Sequence, residues 1–174
     1  MFPRDMILGE GVFNIADALS TTAGVDIGAV RGGGALNIAR VYRKRAADGD
    51  FGFVKGRIAI DEETATLTIR ALEMFSSNIT SFYPAMAAST STSNITTFTG
   101  KVEIGATDYK RVRFTGRTDG GNVVQVTLDN AINMAPLAWE FLDKNEVVAE
   151  LVFTACSLEA STTLPSWTVT FATT

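Results

Sequence analysis

Thr64-Ala65-Thr66-Leu67-Thr68-Ile69-Arg70-Ala71 alternates apolar with polar residues at a period of two. Successive side chains of an extended chain point to opposite faces. The stretch therefore makes a strand with Ala65, Leu67, Ile69 and Ala71 for a core and its threonines and Arg70 for water. Threonine suits the wet face because β-branching favours extended backbone.

The same alternation recurs outward from this segment. Val112 and Phe114 are interleaved with Arg111, Arg113 and Thr115. Val124, Val126 and Leu128 are interleaved with Gln125, Thr127 and Asp129. Phe98, Gly100, Val102 and Ile104 alternate with Thr97, Thr99, Lys101 and Glu103, and Trp167, Val169 and Phe171 with Ser166, Thr168 and Thr170. Residues 147–156 differ, being apolar on both faces apart from Glu150 and Thr154. That pattern predicts a central strand, or one whose second face meets another subunit.

Turn chemistry separates these runs. Thr118-Asp119-Gly120-Gly121-Asn122 is a hairpin turn, because Asp-Gly and Gly-Gly supply the positive φ a tight reversal needs. Ala46-Ala47-Asp48-Gly49-Asp50 reads as a longer loop tip, and the Ser/Thr-rich tract 88–97 as an exposed loop. Ile79, Phe82, Tyr83 and Met86 fall on one helical face, so about two turns are expected there. Ser76, Ser77 or Asn78 is the expected cap, and Pro84 limits the helix by removing a backbone donor. Residues 134–142 admit two readings: Pro136 opens a helix, or Leu137, Trp139 and Phe141 alternate as a strand. The expected fold is mainly β, an antiparallel β-sandwich or partial barrel of two sheets with one short flanking α-helix. No fixed-period repeat or linker interrupts the 174 residues, which read as a single domain.

Composition narrows the function. Apolar residues make up 46% and charged residues 20%, a globular balance. A chain of this size buries about 70% of its unfolded surface without staples. The net charge of −4 gives no long-range attraction to nucleic acid. There is no histidine, which removes imidazole acid–base catalysis and His-ligated zinc. The one cysteine, Cys156, lies in an apolar run and reads as a buried, inert thiol. The first residues carry Asp5 and Glu10 and lack the apolar run of a secretory signal. No segment approaches the ~20 apolar residues of a membrane span. A soluble protein without a membrane anchor, made in a reducing cytoplasm, is expected.

Motifs that suggest chemistry have plainer readings. Residues 28–34 are glycine-rich, yet no Gly-Lys-Ser/Thr follows and the next segment, 35–42, reads as strand, so no helix N-terminus awaits a phosphate. Counting a calcium loop from Asp48 puts Ala59 at the twelfth position, where it cannot coordinate. Asp61, Glu62 and Glu63 are adjacent and point apart, which suits a solvated turn better than a catalytic pair. Asn78-Ile79-Thr80 and Asn94-Ile95-Thr96 match the glycosylation sequon but carry no meaning without a secretory route. Neither catalytic residue, metal ligand nor cofactor is expected.

One cluster stands out. Arg40, Arg43, Lys44 and Arg45 form the only dense basic run, followed by Asp48, Asp50, Phe51 and Phe53. No aromatic ladder interleaves the basic residues, as single-strand binding requires. The loop either docks on a neighbour or is solvated with its phenylalanines folded back on the core.

The order of these features is similar to that of the tail tube proteins of long-tailed phages. Val25-Asp26-Ile27-Gly28-Ala29-Val30-Arg31-Gly32-Gly33 leads into a strand. A loop with Ala46-Ala47-Asp48-Gly49 precedes Gly52-Phe53-Val54-Lys55-Gly56, then come the threonine-rich strand and the short helix. The resemblance covers residues 20–86. It implies a structural virion protein of the viral tail, synthesised in the host bacterial cytoplasm, not an enzyme. It implies further that six subunits form a hexameric ring whose inner sheets join into one barrel, and that rings stack by self-assembly into a tube for DNA ejection. By the same resemblance DNA is expected to pass through the lumen without sequence-specific binding, and tape measure and terminator proteins are the further partners expected. By position, the inter-ring loop is residues 43–54, with Arg43, Lys44, Arg45, Asp48, Asp50, Phe51 and Phe53 at the inter-subunit interface, and an N-terminal arm spans residues 1–12. Alternatives are a tail completion or capsid decoration protein, or the tube of a contractile injection system.

Overall fold

A computed structural model describes residues 7–18, 20–22, 24–45, 48, 52–73, 77–91, 93, 95–139, 146–158 and 166–172. In chain order the strands are β1 (Ile7–Asp17), β2 (Val25–Asp26), β3 (Val30–Lys44) and β4 (Ile58–Ala71). A helical turn, α1 (Ile79–Phe82), precedes β5 (Met86–Thr90) and β6 (Thr96–Gly100). After a 3-10 turn at Ala106–Asp108 come β7 (Lys110–Thr118), β8 (Val123–Asn133), β9 (Ala149–Ala155) and β10 (Trp167–Ala172). The chain is mainly β, sandwich-like and antiparallel, with one short helix and a sheet that does not close.

The eight-stranded sheet has the order β2-β1-β7-β8-β9-β4-β3, with β10 also on β8. β8 makes the fold two-layered. Its residues 123–128 pair with β10, whereas Ala131, Ile132 and Asn133 pair with β9. Between them Asn130 takes φ 49°, a left-handed conformation that asparagine tolerates better than branched residues. The register against β7 slips at the same point, so the strand bends as a bulge and changes partners.

The bend brings β4 and β9 over β1, β7 and β8. Phe13, Val112, Val126 and Leu128 meet Leu67, Ile69, Leu151 and Phe153 in one core cluster. The rings of Phe13 and Phe114 lie 4.8 Å apart. Gly34 of β3 lets the layers approach: a Cβ there would lie 2.6 Å from Phe13 Cζ and 2.8 Å from the Thr68 carbonyl oxygen. The alternations at 65–71, 112–114 and 124–128 are all strand, and β9 is central, between β4 and β8. The turn at 118–122 is a hairpin in which the Thr118 amide donates to the Asn122 carbonyl and Gly121 supplies φ 84°.

Several expectations are corrected. The helix has one turn, because Tyr83 is already extended and Pro84 follows. Asn78 precedes it without a side-chain capping bond, and Met86 opens β5 instead. The tract 88–97 is not simply a loop: Met86–Thr90 and Thr96–Gly100 pair as a two-stranded sheet, with threonines in extended positions they favour. Beyond it the alternation stops being strand. The Lys101 ammonium bonds Asp108, and Val102 is 100% exposed. Cys156 is half-buried, not buried. Residues 134–139 have no regular structure, and the rest of that segment to residue 145 lies outside the described residues.

Candidate assembly surfaces

The longest hairpin positions the candidate site. β3 and β4 pair from Val30–Ala71 out to Lys44–Ile58, but β9 covers only Thr66–Ala71 of β4. The outer half is therefore a two-stranded arm beyond the sheet. Leu36, Ile38 and Arg40 oppose Leu67, Ala65 and Glu63. Alternation puts these residues on the core-facing side, with Tyr42 and Lys44 continuing the row.

Glu63 marks where the core ends. Its carboxylate bonds the Arg40 guanidinium and also accepts the indole N–H of Trp167, 2.7 Å away on β10. The guanidinium and indole together hold the Glu63 carboxyl below its usual value. Past this seal the register slips by one residue, which restores Tyr42 opposite Ile60 and Lys44 opposite Ile58. The apolar members of this row are open to solvent in the described chain: Tyr42 and Ile60 are each 56% exposed, and Ile58 is exposed too.

The expected interface residues are placed as follows. Arg43 is in β3, its Nε 3.0 Å from an Asp61 carboxylate oxygen. Lys44 is half-buried at the strand end, and Arg45 continues the hairpin through its amide to the Arg57 carbonyl. Asp48 is exposed at the turn. Phe53 is 73% exposed and does not fold back on the core. Asp50 and Phe51 lie outside the described residues. Asp61 and Glu63 sit within strand β4, not in a solvated turn, and each meets an arginine across the hairpin. The apolar face of Tyr42, Ile58 and Ile60 was missed by sequence reasoning, although Ile58-Ala59-Ile60 already alternates. Of the N-terminal arm expected at residues 1–12, the part from Ile7 is strand β1 and pairs with β7 of the same chain.

Two open edges adjoin this arm. β3 has β4 on one side and no strand on the other, and β10 has only β8, among the described residues. Val169 and Phe171 of β10 are exposed, Phe171 at 61%. Such edges present unpaired backbone groups that another strand can satisfy.

The clefts are less specific. One of 410 Å³ is lined by Ile104, Tyr109, Asn130, Cys156 and Leu158. Burial pushes the Cys156 thiol up, so it stays protonated at neutral pH and is a poor nucleophile. No group of three or more Cys, Asp or Glu side chains suited to a metal occurs among the described residues, and no helix there is long and apolar enough to cross a membrane. No protein-family model and no curated protein matches the chain.

Proposed function

We propose that the protein is a structural subunit that assembles with copies of itself into stacked rings around a lumen, as the tail tube of a phage does. One observation carries this reading: an unclosed sheet whose longest hairpin runs past its covering layer with an apolar face exposed. Tyr42, Ile58 and Ile60 continue the row of core residues into solvent, where they gain nothing unless another surface covers them. The unpaired edges of β3 and β10 favour the same reading, because copies joined edge to edge into a barrel would pair both. The resemblance over residues 20–86 supplies the ring, the tube and the passage of DNA.

Negative-stain electron microscopy of concentrated protein tests it. Rings or tubes about a central hole are the expected result. Trimers or unstacked rings would favour a decoration or completion protein, and a strictly monomeric chain would end the proposal.

A further inference from the structure

The same hairpin carries opposite charge at its two ends. Residues 43–57 hold five basic and two acidic side chains, a net +3 on a chain of net −4 that becomes +2 once Arg43 is counted with its ion-pair partner Asp61. Arg45 and Lys55 are exposed, and neither they nor Lys44 forms an ion pair among the described residues. At the far end β4 runs out into Glu73, and the chain enters β3 from Asp26. Glu73 accepts the Ala29 amide at 3.2 Å and Asp26 accepts the Gly28 amide at 2.9 Å, so both carboxylates are held at this end. Both are exposed and without a cation among the described residues. The arginines nearby are already engaged: Arg31 with Glu146 at 3.1 Å and Arg70 with Glu150 at 3.5 Å. Val25, beside Asp26, is 62% exposed.

We infer that the arm of one copy docks on the Asp26–Glu73 end of a second copy. Its basic tip meets the two carboxylates, and its Tyr42, Ile58 and Ile60 face lies against the exposed Val25. The inference rests on the assembly reading and adds the receiving surface to it. Charge selects the geometry. Two tips brought together would oppose Lys44, Arg45 and Lys55 with the same three cations, whereas tip against far end pairs opposite signs. A contact between two different patches does not close pairwise as a twofold contact does, and patches at opposite ends of one long hairpin make successive copies follow its length as a stack.

A charge swap tests this. One variant reverses the tip (Lys44→Glu, Arg45→Glu, Lys55→Glu) and another the far end (Asp26→Lys, Glu73→Lys). Circular dichroism and thermal melting check that each folds. If the second does not, Asp26→Asn with Glu73→Gln replaces it, since both amides still accept a hydrogen bond, and this chain must lose assembly. Sedimentation and microscopy should show wild-type assemblies that weaken as salt rises from about 0.1 M to about 1 M. Each variant alone should fail to stack, and the mixed reversed variants should stack again. Stacking by the tip variant alone, by the Asn/Gln variant, or a folded mixture that does not stack, overturns the docking and leaves the ring reading standing. Charge-dependent filaments without a lumen keep the docking and remove the tube. A wild-type chain that stays monomeric removes both.

Discussion

Trp167 on edge strand β10 donates its indole N–H to Glu63 on β4, 2.7 Å away and 104 residues earlier in the chain. The bond ties an edge strand to the base of the arm, where the covered core gives way to an open apolar face. It also gives Glu63 a second donor beside Arg40, so the ionised carboxylate is the form that the fold prefers.

A pH dependence follows from that preference. The Glu63 carboxyl is lowered from 4.5, so its contribution is complete above that value and is lost as pH falls through the lower folded value. Trp167→Phe keeps an aromatic ring but removes the donor. The difference in urea stability between wild type and variant should be widest at about pH 7 and narrow at about pH 3. A gap that does not change with pH would show that the indole bond contributes nothing.

The bend in β8 depends on Asn130. Its φ of 49° is strained for a β-branched residue, so Asn130→Val should cost about 1–3 kcal/mol, and Asn130→Gly should be tolerated better. Denaturant midpoints of the two variants check the order, and equal losses would place the role in the asparagine side chain instead.

Asn133 joins three segments from a buried position. Its amide nitrogen donates to the Phe82 carbonyl at 2.7 Å, and its oxygen accepts the amides of Ala135 at 3.0 Å and Val152 at 3.1 Å. Asn133→Ala strands these groups, and a loss on the order of 2–3 kcal/mol is expected. Hydrogen exchange should report faster opening at Val152, and unchanged exchange there would contradict the bond.

How much of this was legible in sequence depends on what a pattern measures. Alternation reports which side chains share a face, and it located the strands at 65–71, 112–114 and 124–128 correctly. It does not report whether that face is covered. Trp167, Val169 and Phe171 alternate as a buried strand does, yet β10 lies at an edge and leaves Phe171 61% exposed. Asp61, Glu62 and Glu63 look like a solvated turn because the partners of Asp61 and Glu63 are distant in sequence: Arg43 and Arg40 across the hairpin, and Trp167 on β10. In the candidate site, the basic run and Phe53 were visible as a cluster. The face of Tyr42, Ile58 and Ile60 was not, since the register slip that aligns them is a property of the paired hairpin.

The close approach of the layers gives a packing prediction. A Cβ at Gly34 would meet both the Phe13 ring and the Thr68 carbonyl, and the backbone oxygen cannot step aside as a side chain can. Gly34→Ala should destabilise by about 1–3 kcal/mol, read from urea unfolding. Full stability would mean that the layers are free to separate at β3.

The arm separates assembly from folding. Buried apolar residues stabilise the folded chain itself, so Leu67→Ala, at 3% exposure, should cost about 2–5 kcal/mol and impair everything downstream. Tyr42, Phe53 and Ile60 are exposed, and replacing them removes little burial within one copy. The triple variant Tyr42→Ser, Phe53→Ser and Ile60→Ser should therefore melt within a few degrees of wild type while losing the assemblies seen by microscopy. A folded variant that assembles normally would remove the arm from the interface. A large drop in melting temperature would mean that the arm packs on its own chain after all. Only a folded variant without assemblies fits a face that waits for another copy.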